Sequence, residues 1–351
     1  MRALVYLGSG ALELREHPVP ALPGRDDVRV RVTGTGICGT DRKILLGHFP
    51  AREGVVLGHE SVGVVESTGP DVTSVRPGDR VVVNPTLYCG RCRPCRRGAT
   101  NFCRNKRGTE VGVDRDGTYA DYTVLPERFV ERLPDGVPFH RAVLIEPLAC
   151  VLNNVLAADV TYADTVTVLG AGPIGVLTGL VAARRARRVV VVEPDPYRLA
   201  AARDTFERVV DAGGPDPVKA IVTAGDGHRP DVVLDTTGSA VEQALRLVAD
   251  GGRVVAMGFD DTYSVPVRPL YLTNHGISLL GAGDYRADVF PVAVELIGEL
   301  PVDGLVTHQL PLERHEEAFG LLSSGSYGAL KVVIRSDPAP VDADGWPEGA
   351  R

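Results

Sequence analysis

Apolar and polar residues alternate through the first 35 positions, as in Val28-Arg29-Val30-Arg31-Val32, the period-two pattern of strands with one buried face. Pro18, Pro20 and Pro23 punctuate the turn before that run. Met1 to Tyr6 already read as a strand, so the chain is expected to start without a signal peptide. Val62 to Glu66 and Arg80 to Val83 are further short strands, separated by the turn Arg76-Pro77-Gly78-Asp79. Many short strands with Gly and Pro turns predict a small antiparallel barrel or sandwich. The pattern changes near Leu148. From there to about residue 290, Val- and Ile-rich runs alternate with Ala- and Arg-rich helical stretches, the arrangement of a parallel α/β sheet. Strands are expected at 165–169, 189–192, 231–235 and 253–257. A helix over Val292 to Gly298, the stretch Leu310 to Leu322 and the run Lys331-Val332-Val333-Ile334 are expected to return to the first domain. The predicted division is therefore 1–147, 148–289 and 290–351, with a loose tail from Ser336 rich in Pro, Asp and Gly.

Composition narrows the classes. With 351 residues and 44% hydrophobic content, the chain can bury a large core and should form two domains. Charged residues make up 24%, and no apolar run approaches the roughly 18 residues that cross a bilayer. The net charge of −7 speaks against nucleic acid or an anionic membrane as partner. Six cysteines in a chain of this length point to metal more than to disulfides, and with them to the cytoplasm.

The chemistry gathers in Gly36-Ile37-Cys38-Gly39-Thr40-Asp41 and Gly58-His59-Glu60. Cys38, His59 and Glu60 supply a thiolate, an imidazole and a carboxylate, the side chains that bind zinc. Glycines at 36, 39, 58, 63 and 69 are expected to let the backbone turn around them. Together these spaced residues resemble the signature of the zinc-dependent medium-chain alcohol and polyol dehydrogenases. Cys89, Cys92, Cys95 and Cys103 follow the spacing C-x2-C-x2-C-x7-C, which suits a closed, structural zinc site. That lobe, about residues 84–108, resembles the structural-zinc lobe of the same family. The basic residues crowding it, Arg91, Arg93, Arg96, Arg97, Arg104, Lys106 and Arg107, balance thiolate charge more simply than they grip phosphates.

Thr165 to Leu169 run into Gly170-Ala171-Gly172-Pro173-Ile174-Gly175 and then a helical stretch. This is G-x-G-x-x-G in its strand–turn–helix setting, with the pyrophosphate expected at the helix N-terminus. Glu193 ends the next strand about twenty residues on, where a carboxylate bonds ribose hydroxyls and repels a 2′-phosphate. NAD is therefore favoured over NADP, with Arg198 as the residue that keeps a phosphate contact open.

The resemblance covers nearly the whole chain and implies a GroES-like β-barrel catalytic domain plus a Rossmann, doubly wound cofactor domain. It implies two zinc ions per chain and hydride transfer between NAD and a secondary alcohol of the polyol, sugar-alcohol or cyclitol kind. Cys38 and His59 would hold the catalytic ion, with Glu60 or Glu146 as third ligand. Glu146 lies in Ile145-Glu146-Pro147-Leu148, which resembles the sorbitol and cyclitol branch, whereas many simple-alcohol enzymes carry Cys there. Asp41 would orient His59, and Thr40 would relay the proton. Lys43, His48 and Asn153 depart from the family pattern along the proton exit. His48, Phe49, Tyr119, Asn153 and Arg286 are the candidates for the substrate pocket. Relatives are homodimers or homotetramers. A threonine, amino-alcohol or simple secondary-alcohol dehydrogenase is the alternative within enzymes. A non-catalytic dinucleotide-binding relative would have lost zinc ligands or loop glycines, and none is lost.

Overall fold

A computed structural model describes residues 1–8, 10–258, 260, 262–323 and 328–336. The tail expected beyond Ser336 lies outside the described residues. The chain forms two compact units, one of Met1–Pro147 with Arg286–Arg351 and one of Leu148–Tyr285.

In the first unit, β1 (Arg2–Tyr6) pairs antiparallel with β2 (Leu12–Glu16). The alternating run becomes β3 (Asp27–Gly36), which lies against β4 (Glu60–Thr68). Next come β5 (Arg80–Val83), β6 (Tyr122–Pro126) and β7 (Val130–Arg132), all in antiparallel pairings. The β3–β4 register places Glu60 beside Gly36. It also explains Gly63, where a Cβ would run into the carbonyl of Arg31. Val28, Val30, Val65, Val81, Val83, Leu125 and Phe129 bury one face of this sheet.

The second unit is a six-stranded parallel sheet built from β8 (Thr165–Leu169), β9 (Arg188–Glu193), β10 (Val209–Asp211), β11 (Val232–Asp235), β12 (Arg253–Ala256) and β13 (Ser278–Leu280). Its order is β10-β9-β8-β11-β12-β13, so the winding reverses between β8 and β11, where such sheets bind ligands. All four expected strands are present, and β8 is buried along its whole length. That burial is why it reads as a continuous apolar run rather than an alternating one.

The chain then returns to the first unit. The expected helix at 292 begins earlier, as Val289–Leu296. The stretch from Leu310 resolves into the end of β14 (Val306–Pro311), a 3-10 turn at Leu312–Arg314 and the helix His315–Ser323. β15 (Lys331–Arg335) pairs parallel with β14 and antiparallel with β3, Val333 facing Gly36. The β14–β15 pair is the parallel exception in a sheet expected to be antiparallel.

Candidate metal centre and dinucleotide loop

The helix Gly39–Leu45 starts immediately after Cys38, and Asp41 in its first turn accepts from the Cys38 N–H at 2.9 Å. This reciprocal cap fixes the backbone that carries the thiol. His59 and Glu60 enter at the start of β4, after Gly58, whose φ of +92° favours glycine. Ligand atoms of Cys38, His59 and Glu60 lie within 4.8 Å of one another. Glu146 is outside that group, but its charge acts on His59. Thr40 Oγ1 is 3.6 Å from Cys38 Sγ. Of the five glycines read as turn residues, Gly58 alone has a positive φ. Gly36 serves a close approach instead, because a Cβ there would run into Glu60 Oε2.

The cluster has excess negative charge. Burial alone would push the His59 pKa down, but Asp41, Cys38 and Glu146 outweigh it and hold the ring well above its usual range. Burial pushes the Asp41 carboxyl up against the pull of His59. Burial also raises Glu146, to about 7, opposed by His59 and Lys331 and reinforced by Glu60. His59 Nδ1 and Asp41 Oδ1 are buried without a hydrogen-bond partner and face each other at 3.6 Å.

Tyr119 has no exposed surface, which corrects its expected place in the substrate pocket. Its hydroxyl donates to Asp41 Oδ2 at 2.8 Å, with the Gly36 carbonyl 3.2 Å from the same hydroxyl oxygen, so it holds Asp41 in place. His48 is exposed and Phe49 packs against the apolar core of the first unit. Arg286 forms a two-pronged pair with Asp288, both contacts at 3.0 Å. The Asn153 amide donates to the carbonyls of Ala282 and Asp284 at 3.1 and 2.6 Å, which ties down the segment after β13.

In the other thiol group, ligand atoms of Cys89, Cys92, Cys95 and Cys103 also lie within 4.8 Å of one another. The N–H groups of Arg91 and Cys92 pull the Cys89 thiol down to about 6, while burial pushes Cys95 up to about 12. All six cysteines are free thiols.

In the second unit, Gly170 turns the chain at φ +100°, and a Cβ on it would stand 2.7 Å from Thr236 Oγ1. Gly172 caps the helix Pro173–Ala183, and Ile174 and Gly175 follow in its first turn, with Gly175 packed against the Gly170 carbonyl. The Arg198 guanidinium reaches over Gly172, 3.9 Å from where a Cβ would stand. Glu193 is 4% exposed and accepts from the N–H of Ala171 at 2.6 Å and of Asp195 at 2.9 Å. The sequence anticipated this carboxylate at the end of β9 but not its hold on the glycine loop.

The alcohol dehydrogenase GroES-like domain matches residues 24–135, and the zinc-binding dehydrogenase family matches residues 173–299. A sorbitol dehydrogenase of Halalkalibacterium halodurans is 30% identical across 97% of this chain and 100% of its own. An L-threonine 3-dehydrogenase of Pyrococcus abyssi is 34% identical, covering 92% of this chain and 95% of its own. The chain belongs to the zinc-binding alcohol dehydrogenase family. A solved structure from Sinorhizobium meliloti 1021, described as a zinc-binding dehydrogenase bound to NADP, has a TM-score of 0.88 and 31% identity. It spans 95% of this chain and 98% of its own.

The residues present fit the family's metal. Cys38, His59 and Glu60 give sulfur, nitrogen and oxygen donors in one small volume. The proton drawn to His59 marks a place where a dication would relieve the same excess charge. Asp41, facing Nδ1, leaves the opposite ring nitrogen for an ion. The family resemblance did not single out Lys331, which is 5% exposed and bonds both oxygens of Glu60. Its signal was available: a lone lysine between Leu330 and Val332 in an apolar run must find a partner if the run is buried.

Proposed function

We propose that this chain is an NAD-linked dehydrogenase of a secondary alcohol, of the polyol, sugar-alcohol or cyclitol class. One observation carries the reading: the Cys38–His59–Glu60 donor group is accompanied by a second buried carboxyl, Glu146, rather than by a further thiol. That carboxylate-rich setting is what the resemblance to the sorbitol branch implies, and the sorbitol dehydrogenase relative supports it. Bound zinc supplies Lewis acidity that lowers the pKa of an alcohol hydroxyl, and NAD supplies the hydride acceptor.

This chain's residues do the rest. Cys38, His59 and Glu60 hold the ion, and Asp41, fixed by Tyr119 and the Cys38 N–H, orients His59. Thr40, beside Cys38 Sγ, takes the departing proton. Glu146, whose carboxyl burial pushes up, serves as the carboxyl beside the centre. His48 and Phe49 remain candidates for substrate contact. Cys89, Cys92, Cys95 and Cys103 hold a second, structural zinc.

The cofactor binds the second unit. Gly170, Gly172, Pro173, Ile174 and Gly175 form its phosphate loop, and Arg198 over Gly172 adds a cation. An ionised carboxylate has about four lone-pair sites. Glu193 uses two on backbone N–H groups and keeps two for ribose hydroxyls, while its charge disfavours a 2′-phosphate. We take the assembly to be a homodimer or homotetramer formed through the outer edge of β13, an end strand of its sheet. Six free thiols suit the cytoplasm, and no described helix is long and apolar enough to cross a membrane.

The threonine dehydrogenase relative makes oxidation of an amino alcohol the second reading. A zinc-supplemented screen with NAD and NADP in parallel separates the two. It would cover polyols, cyclitols, aminocyclitols, butanediol, threonine and simple secondary alcohols. Polyol or cyclitol oxidation with NAD is the expected result, and turnover confined to threonine or to simple alcohols would overturn the substrate class. Cys38→Ser is expected to abolish turnover and remove one of two zinc ions while the fold persists. Substantial residual activity would refute the catalytic role of the Cys38 centre.

A further inference from the structure

Lys331 opens β15 and has almost no contact with solvent; the side chains of Lys331 and Glu60 are 6% and 1% exposed. Its ammonium has three hydrogens and spends them on three acceptors. Nζ donates to Glu60 Oε1 at 2.8 Å, to Glu60 Oε2 at 2.6 Å and to the Ile37 carbonyl at 3.1 Å. The last contact fixes the residue before Cys38, and the first two fix the residue after His59. One buried cation thus ties together both segments that present metal donors. The strand register explains how it arrives there. β15 runs beside β3 with Val333 opposite Gly36, and Glu60 lies opposite Gly36 on the other side of β3. Gly36 leaves the space in which carboxylate and ammonium meet, because a Cβ would run into Glu60 Oε2 and approach Lys331 Cδ at 3.3 Å.

We propose that Lys331 is a positioning residue that competes with the metal ion for Glu60, loosening the ion's hold and keeping one coordination position available to substrate. The inference rests on the reading that Cys38, His59 and Glu60 hold zinc. Its physical basis is simple. A carboxylate gripped at both oxygens by an ammonium is a weaker donor to a dication, and the fixed positive charge repels the ion. Without Lys331, Glu60 would lose the ammonium that bonds both its oxygens and be free to bind the metal fully. Groups that hold metal ligands typically shift affinity by roughly 10–100-fold, and here the shift runs toward tighter binding when the group is removed.

The test uses the full-length, zinc-loaded protein and follows metal release to a chromogenic chelator. The wild type should release two ions in separable phases, one from the Cys38 centre and one from the four-cysteine lobe. Lys331→Met keeps the aliphatic stem and removes the charge. It is expected to slow release from the Cys38 centre at least about tenfold and to leave the lobe's ion unchanged. With cobalt(II) in the Cys38 centre, the visible ligand-field bands should shift, reporting a stronger carboxylate ligand. On a Glu60→Gln background, Lys331→Met should have no further effect on release, because the lysine acts through that carboxylate. Unchanged or faster release from Lys331→Met with the lobe's ion retained would overturn the proposal. An equal effect of Lys331→Met with Glu60→Gln would also overturn it. If Lys331→Met loses the lobe's ion as well, it has not folded. Lys331→Arg then decides: it keeps the charge, so wild-type release supports the proposal and a tenfold slowing refutes it. A wild type that carries one ion per chain, in the lobe alone, would instead refute the zinc reading of the Cys38 centre.

Discussion

Glu193 combines two duties that a pair of substitutions can separate. The residue is 4% exposed, and its carboxylate accepts the N–H of Ala171, inside the glycine loop, and of Asp195, at the start of the next helix. Glu193→Gln preserves shape and one acceptor oxygen but turns an amide NH2 toward one of those N–H groups. One buried donor then goes unpaired and the charge assistance is lost, at a cost of about 1–3 kcal/mol. Glu193→Ala strands both donors, at about 2–6 kcal/mol. For a chain of this size the Gln variant should melt roughly 1–4 °C lower, and the Ala variant lower still. The second duty is selectivity. Removing a negative charge that faces a 2′-phosphate relieves about 2 kcal/mol of like-charge repulsion, roughly thirtyfold in relative affinity.

The assay is titration of NADH and NADPH by fluorescence on wild type and both variants, beside a thermal melt. Glu193→Gln should bind NADH more weakly through the loosened loop, while the NADH/NADPH affinity ratio falls by about an order of magnitude or more. A ratio unchanged within twofold, with the melting temperature lowered, would refute the selectivity argument and leave Glu193 as a loop latch only. A changed ratio with an unchanged melting temperature would refute the latch.

Two other perturbations address the first unit. Cys92→Ser replaces a thiolate that lies 3.4 Å from Cys95 Sγ and 3.9 Å from Cys103 Sγ. It should remove one zinc per chain and lower the melting temperature by roughly 10 °C, and an unchanged melt would refute a structural metal. Asp303 pairs with Arg141, both contacts at 2.5 Å, and with His140 at 3.1 Å, and Arg141 above all holds its carboxyl down at about 2. A lowered carboxyl pKa stabilises the fold above the unfolded value of about 4, and that contribution fades as pH falls through 2. Because Asp303 is 59% exposed, Asp303→Ala should cost only about 0.5–1 kcal/mol at pH 7. The difference in melting temperature from wild type should shrink steadily below pH 4, and a gap independent of pH would refute the ion pair.

What the sequence disclosed and what it hid follow from the range of the interactions. β8 and the glycine loop are local: a buried strand, a turn and a helix start fall within twenty residues, so pattern and spacing expose them. The four cysteines are local for the same reason. Donor types at Cys38, His59 and Glu60 could be read, and Asp41 beside His59 with them, but the partners distant in the chain could not. Tyr119 reaches Asp41 across 78 positions and Lys331 reaches Glu60 across 271, distances over which no periodicity carries information. Tyr119 was expected to line the substrate pocket, and its complete burial against Asp41 places it behind the donors instead. Gly36 shows the same limit in reverse. It read as a turn residue, yet it lies in β3, and its lack of a side chain makes room for a carboxylate–ammonium pair formed by two other strands. The donor residues therefore point to the kind of ion proposed for the centre. On the proposal made for Lys331, how tightly that ion is held depends on a lysine in the chain's return to its first unit.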